Sequence, residues 1–351
     1  MIFYLIGLFP IYIFQMRVWI EPEMTNSRSE LYEKHPDWII CQPNRTPRPG
    51  RGSTQLVLDA SNPAVQDFIF GIVDHLMTEN PEIAYIKWDA NMSIANYGSS
   101  YLTADKQSHL YIDYHRGLRN VMKRIRAKYP TLVIQACASG GGRANYGILP
   151  YFEEFWTSDN TEALQRIYMQ WGTSYFFPAV AMGSHVSASP NHQTGRITPL
   201  KFRFDVAMTG RLGMEIQPRN MTEDERSFAR EAISTYKKIR PVIQQGDLYR
   251  LISPYDDKGV SSLMFCTPQK NRAVFFAYKL QHYCNQIIPR FRMDGLKADK
   301  QYRITELNRE DPHPLALEGK VFSGRMLMEQ GVELPLQHEY ASRVLELTEV
   351  N

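Results

Sequence analysis

Several features are scarce in this sequence, and each scarcity narrows what the chain can be. Cysteine is rare: Cys41, Cys137, Cys266 and Cys284 are scattered without CxxC or other ligand spacing. Neither a zinc site nor a disulfide framework is indicated, and reduced thiols are the default. An excess of one charge is lacking too. Forty basic residues against 37 acidic ones leave a formal charge of +3, with no Lys/Arg run long enough to track a polyanion. Nucleic acid is therefore not expected as a partner. No Gly-Lys-Ser/Thr follows the glycine-rich stretch at 140–142, which excludes a phosphate loop. Internal repeats and low-complexity segments are absent. The apolar run at residues 1–15, MIFYLIGLFPIYIFQ, lacks a basic n-region and a small-residue cleavage site, and it is shorter than the ~20 residues of a membrane span. A signal or anchor is weighed here against a truncated or misassigned start, and no membrane association is expected.

What is present is a chain of 351 residues, 43% hydrophobic, long enough for a sizeable core and two domains. Its 12% aromatic content suits sugar stacking and an aromatic core equally. Short buried-strand patterns recur at Met16 to Ile20, Ala84 to Trp88, Thr131 to Ala136, Glu154 to Ser158, Ala179 to Val186 and Arg211 to Ile216. Each is followed by a polar stretch and a helical pattern, which predicts a parallel α/β architecture. Gln55 to Asp59 reads as an accessory strand. Asn62-Pro63 opens a helix through Met77, and Thr222 with Glu225 forms a capping box for a helix ending near Gln244, before Gly246. From Asp247 the texture becomes alternating segments, SSLMFCT, AVFFAYKL, IIPRFRM, QYRITEL and SRVLEL, the pattern of an antiparallel β-domain. The expected organisation is an atypical apolar segment at 1–15, a catalytic α/β part at 16–246 and a β-domain at 247–351.

In a barrel of alternating strands and helices, reacting groups sit just past the C-terminal ends of strands. Asp89 directly follows AYIKW, and Asp159 directly follows EFWTS. Two such carboxylates suit glycosidic bond cleavage, where one protonates the leaving oxygen and the other meets the oxocarbenium-like centre. The competing reading is that each caps the helix after its strand.

Four ordered motifs, WIEPEM, YIKWDANMSI, ACASGGGR and FWTSDNTEA, resemble glycoside hydrolase family 36, which comprises α-galactosidases, some α-N-acetylgalactosaminidases and plant galactosyltransferases. The resemblance runs from about Met16 to the end. It implies a (β/α)8 barrel of the TIM type, incomplete because its first two strands and a large N-terminal β-domain are missing, plus the C-terminal antiparallel β-domain. It implies a retaining α-galactosidase acting on raffinose- or melibiose-type oligosaccharides without metal or nucleotide cofactor. Asp89 matches the nucleophile and Asp159 the general acid/base. Lys87, Asn91, Trp19, Cys137, Ser139 and Gly140 match positions around the sugar, Ser139 standing where many members have glycine. Many members carry Arg at the position of Ser53, and Arg51 is a candidate to replace that contact. Glu21 and Glu23 are read as shaping the site, and His185 as structural. The pair of aspartates with which the family's second strand binds galactose hydroxyls is not found upstream of Trp19. Three functional readings therefore stand: the α-galactosidase, an α-N-acetylgalactosaminidase or galactosyl-transferring relative, and an inactive fragment. A homo-oligomer in the intact form and a cytoplasmic location, with secretion or a periplasmic location left open, complete the expectations.

Overall fold

A computed structural model describes residues 3–4, 16–92, 94–256, 258–310 and 312–350. The apolar segment expected at 1–15 lies outside the described residues except for Phe3–Tyr4 (β1), which pairs antiparallel with β2. The chain divides into two compact units between Trp156 and Thr157.

In the first unit, parallel strands β2 (Met16–Ile20), β5 (Ile83–Trp88), β6 (Val133–Ala136) and β7 (Glu154–Trp156) lie side by side in that order. One face of the row is apolar, carrying Val18, Ile20, Ile86, Trp88, Ile134, Ala136 and Phe155, all buried. Between β2 and β5 the chain makes a separate antiparallel pair, β3 (Met24–Asn26) with β4 (Gln55–Val57), the accessory strand expected there. A short helix, α1 (Glu30–Lys34), lies between these two.

The helix α2 (Pro63–Glu79) begins as its sequence predicts, with the Asn62 side chain accepting the N–H of Ala64 and Pro63 supplying a preset φ. Its buried Val65, Ile69, Val73 and Leu76 form one stripe, and the helix lies beside α3 (Leu110–Lys128). Gly117 is required in α3, because a Cβ there would lie 1.7 Å from the Ala60 carbonyl oxygen.

Three sequence expectations are corrected here. Thr131 and Leu132 belong to the turn after α3, where the Leu132 N–H bonds the Tyr129 carbonyl, so β6 starts at Val133. Thr157 and Ser158 leave the strand because the Ser158 hydroxyl folds back to accept the Asn160 N–H. The strand–helix alternation also fails once: residues 137–153, between β6 and β7, form turns and no helix.

The second unit contains α4 (Ala163–Thr173), β8 (Met182–Val186), α5 (Leu200–Ala207), β9 (Arg211–Met214) and α6 (Glu223–Gln245), with β8 and β9 parallel. Residues 179–181, read as the start of β8, form a 3-10 turn after Pro178, and Glu215 and Ile216 lie beyond β9. The Thr222–Glu225 capping box is formed at α6, which ends one residue before Gly246.

Six antiparallel strands follow: β10 (Asp247–Ile252), β11 (Val260–Cys266), β12 (Arg272–Lys279), β13 (Gln301–Leu307), β14 (Val321–Ser323) and β15 (Ser342–Val350). They are ordered β10-β11-β12-β15-β13-β14, with α7 (Gly324–Glu329) after β14. All of β11 is buried, as is β12 after its first residue, so these central strands read as apolar runs rather than alternations. IIPRFRM, expected as a strand, makes only the isolated bridge of Phe291 to Val332. Pro289 has no N–H to give a ladder there.

The joint inside this unit is α5, every residue of which is buried, including Lys201, Arg203 and Asp205. Asp205 is saturated: its carboxylate bonds Lys201 Nζ, Asn308 Nδ2 at 2.8 Å and Ser342 Oγ at 2.7 Å, and its carbonyl takes the Tyr278 hydroxyl at 2.9 Å. Asn308 belongs to the turn after β13, while Tyr278 and Ser342 lie on β12 and β15. One helical residue thus ties the α/β part to the β-sheet. Among the described residues, no helix is long and apolar enough to cross a membrane.

Candidate functional site

The polar face of the first unit's parallel row carries the candidate chemistry. Strand register places Trp19 beside Lys87, Lys87 beside Gln135, and Gln135 beside Glu154, one row across four strands. Two residues further along each strand come Glu21, Asp89, Cys137 and Trp156. Because side chains alternate with period two, this second layer stands on the same face as the first. Parallel bonding continues past the formal strand ends, with the Asp89 N–H on the Ile20 carbonyl at 2.9 Å and the Cys137 N–H on the Trp88 carbonyl at 2.8 Å.

Contacts tie the two layers together. Trp19 Nε1 donates to Asp89 Oδ2 at 3.0 Å, and the Ala90 N–H donates to Oδ1 at 2.9 Å. The carboxylate is buried, 5% exposed, and among the bonds described its donors are all neutral, the third being the Cys137 thiol. Lys87 Nζ stands 4.6 Å over the Trp156 ring. Below, Glu154 accepts from the Tyr85 hydroxyl at 2.5 Å and from Gln135 Nε2 at 2.6 Å.

Cys137 shows the electrostatics of the layer. Burial, and next the nearby Asp89 carboxylate working against the Lys87 ammonium, push its thiol up to about 12. It is a neutral wall beside Asp89, not a nucleophile.

The loop after β6 is shaped by its backbone. Ser139 and Gly140 both adopt positive φ, +48° and +84°, and a Cβ on Gly142 would lie 2.6 Å from the Ala138 carbonyl oxygen. For a serine that conformation is strained by about 1–2 kcal/mol. Asn91 offsets it, because Asn91 Oδ1 accepts both the Ser139 N–H at 2.9 Å and its hydroxyl at 3.2 Å. The Asn91 N–H in turn bonds Glu21 Oε1 at 2.9 Å. Arg51 shares an open cleft of about 380 Å³ with Gly50, Asn91, Met92 and Ala95. Trp19, Lys87, Asp89, Asn91, Cys137, Ser139 and Gly140 thus converge, with Arg51 reaching them through Asn91.

Glu23 plays a different part from Glu21. Fully buried, it accepts from Trp88 Nε1 at 2.7 Å, the Tyr114 hydroxyl and Arg143 Nη1 at 2.8 and 3.0 Å. It braces the residue before Asp89 from behind. Burial and the Glu23 charge raise the Tyr114 phenol well above its ordinary range, so that hydroxyl stays a donor.

Asp159 belongs to the second unit, in the loop between β7 and α4, and is exposed. The helix cap there is Glu162, whose carboxylate accepts the N–H groups of Leu164 and Gln165, so Asp159 is not the cap. Asp89 does not cap a helix either: its Oδ1 takes the adjacent Ala90 N–H, and α3 begins at Leu110. The Asp159 carbonyl takes Gln193 Nε2 at 3.0 Å, fixing the loop. His185 lies 3.4 Å from Glu215, over Gly213, where a Cβ would meet the imidazole at 2.3 Å.

Sequence reasoning missed Gln135, Glu154, Tyr85 and Arg143. The signal was a polar residue two positions before a recognised one, as in Gln135 before Cys137, inside an otherwise apolar strand.

Comparison with known proteins places these features among relatives. Residues 12–246 match the melibiase family model, and residues 260–347 match the glycosyl hydrolase family 36 C-terminal domain. The α-galactosidase AgaA of Geobacillus stearothermophilus is 38% identical over 321 residues, 92% of this chain and 42% of the relative. The probable α-galactosidase G of Emericella nidulans is 39% identical over 328 residues, 93% and 42%. A crystal structure of an AgaA variant in complex with raffinose matches at a TM-score of 0.88 and 37% identity, covering 95% of this chain and 44% of that one. Another AgaA variant, in complex with stachyose, matches at 0.87 with the same identity and coverage. The matched architecture is a partial barrel of the TIM type with a C-terminal antiparallel β-domain. The chain spans less than half the length of these relatives.

Proposed function

The chain belongs to the melibiase family, and on that premise we propose that it carries the machinery of a retaining α-galactosidase acting on terminal α-linked galactose. One observation carries the reading: Asp89 sits buried at a strand end, bonded by the neutral donors Trp19, the Ala90 N–H and Cys137, on the same face as Lys87. The structural carboxylates Asp205 and Glu23 are each bonded by a cationic side chain, and among the bonds described Asp89 is not.

The reaction proceeds in two displacements. An Asp89 oxygen bonds the anomeric carbon as the bond to the leaving oxygen breaks, and that oxygen takes a proton from Asp159. A galactosyl ester of Asp89 results. Asp159, now a carboxylate, takes a proton from water, whose oxygen displaces Asp89 and restores both groups. Donation from Trp19 Nε1 and the Ala90 N–H orients the Asp89 carboxylate for attack. The Lys87 ammonium, Asn91 and the backbone around Ser139 and Gly140 supply hydrogen-bonding groups for sugar hydroxyls, and Arg51 serves the cleft beyond.

Residues 16–246 then make the catalytic part, and residues 247–351 the β-domain that supports it. Oligosaccharides of the raffinose type are the proposed substrates, since relatives have been crystallised with raffinose and stachyose. The four free cysteines favour a reducing, cytoplasmic location.

The deciding experiment follows an aryl α-galactoside by proton NMR during its hydrolysis by the chain. Release of α-galactose first, before mutarotation, is the expected result. Initial release of β-galactose, or absence of turnover, overturns the proposal.

A further inference from the structure

The loop that leaves β5 continues beyond Asn91 and is pinned at several points. The Gly98 carbonyl takes the Cys41 N–H at 2.9 Å, and the backbones are so close that a Cβ on Gly98 would lie 2.5 Å from Gln42 Cα. Buried Ser99 bonds Asp59 and accepts the N–H groups of Tyr101 and Leu102 at 3.1 and 3.0 Å. Gln107 clamps the same turn, accepting the Ser99 N–H at 2.9 Å and donating to the Ser99 and Leu102 carbonyls at 2.8 and 2.7 Å.

From this rigid base Tyr97 projects, 53% exposed, beside Tyr111 of the first turn of α3, 45% exposed. Their ring centroids are 5.9 Å apart, with planes inclined at 43°. The Tyr111 hydroxyl lies 3.5 Å from the Ile94 carbonyl oxygen. Ile94 and Met92 pack on the small core of Ile40, Val57 and Leu110, and Met92 also lines the cleft shared by Asn91 and Arg51. A continuous wall therefore runs from Asn91 through Met92 and Ile94 to the two rings.

We propose that Tyr97 and Tyr111 form a stacking platform for a sugar unit of the oligosaccharide remote from the bond that is cleaved, and so set a preference for longer substrates. The proposal rests on the α-galactosidase reading. A pyranose presents an apolar face edged by hydroxyls, which suits a tyrosine with its flat ring and polar tip. Two exposed rings on a clamped loop cost little ordering on binding. The cleft lined by Arg51, Asn91, Met92 and Ala95 opens on the same loop that carries Tyr97.

The test uses the chain carrying Asp89→Asn, which holds substrate without turning it over, titrated calorimetrically with methyl α-galactoside and with the tetrasaccharide stachyose. Tyr97→Ala and Tyr111→Ala are then added singly and together. Stachyose is expected to bind about tenfold tighter than the methyl galactoside, and each alanine to remove about threefold to tenfold of that preference. Methyl galactoside affinity should stay within about twofold, and Tyr→Phe at either position should keep the preference. Equal affinity for the two sugars in the parent, survival of the preference in the double variant, or parallel loss of both sugars overturns the platform alone. Binding of neither sugar by the parent overturns the α-galactosidase reading and the platform with it.

Discussion

Asp205 and Asp89 are both buried, one in each compact unit, and their surroundings differ. Asp205, in α5 of the second unit, is enclosed by an ammonium, an amide and a hydroxyl. Asp89, at the end of β5 in the first, has an indole N–H, the N–H of its own neighbour and the Cys137 thiol, none of them charged. A carboxylate taken out of water needs donors or it shifts its protonation, so saturation marks a structural group. Among the bonds described Asp89 has no cation bonded to it, which leaves its charge for the electrophile that a nucleophile requires. Glu23 repeats the Asp205 pattern close to Asp89, with Trp88, Tyr114 and Arg143 around it. Proximity to the site therefore does not decide a carboxylate's role; whether a cation is already bonded to it does.

Exchanging the two aspartates' fates is the strongest way to break this contrast. Asp89→Asn should lower turnover of an aryl α-galactoside by a factor on the order of 10⁴ or more while leaving the urea midpoint nearly unchanged. A variant that stays active, or one that unfolds, would sink the distinction. Asp205→Ala should do the reverse. It strands the buried Lys201 ammonium, 6% exposed, and frees the contacts to Asn308 and Ser342. A loss of about 3–5 kcal/mol in chemical denaturation is expected, with specific activity of the folded fraction preserved at low temperature.

Much of this was legible in the sequence where the cause was local. Thr222 and Glu225 announce their cap, Asn62-Pro63 theirs, and the strand-end position of Asp89 follows from a short apolar run, whereas Asp159 lies in the loop beyond β7. What stayed hidden depends on register and burial. The row Trp19, Lys87, Gln135 and Glu154 exists only once parallel strands are aligned. The divergent roles of Glu21 and Glu23, alike in EPEM, arise because one meets the Asn91 backbone and the other faces Trp88 and Arg143. IIPRFRM alternates as a strand would, but a proline removes a ladder donor. In α5 the composition LKFRFDVA suggests a surface helix, and only the sheet packed on it shows that its charges are buried.

A milder perturbation sharpens the comparison inside the first unit. Glu23→Gln keeps the shape but leaves the Arg143 guanidinium without its counter-charge, and a loss of about 2–4 kcal/mol is expected. Turnover per folded molecule should fall less than tenfold, roughly, since Glu23 bonds Trp88 and Arg143 and reaches Asp89 only through them. If instead this variant matched Asp89→Asn in lost activity with stability intact, Glu23 would belong to the chemistry.

The smallest effect concerns pH. Burial, and then the Asp89 carboxylate, hold the Cys137 thiol protonated up to about 12, against an unfolded value near 9. Below pH 9 the thiol is protonated in both states, and its contribution to stability is fully present. Above that the unfolded chain releases the proton while the folded one keeps it, so stability falls by up to about 1.4 kcal/mol per pH unit until about 12. Cys266, pushed up to about 11 by burial, acts in the same direction over a narrower window. Cys137→Ala should flatten the alkaline limb of a urea-midpoint profile measured between pH 8 and 11, and iodoacetamide at pH 8.5 should label exposed Cys284 while sparing Cys137. Rapid alkylation of Cys137 in the folded protein would show a thiolate beside Asp89, which a carboxylate nucleophile at that position could not tolerate.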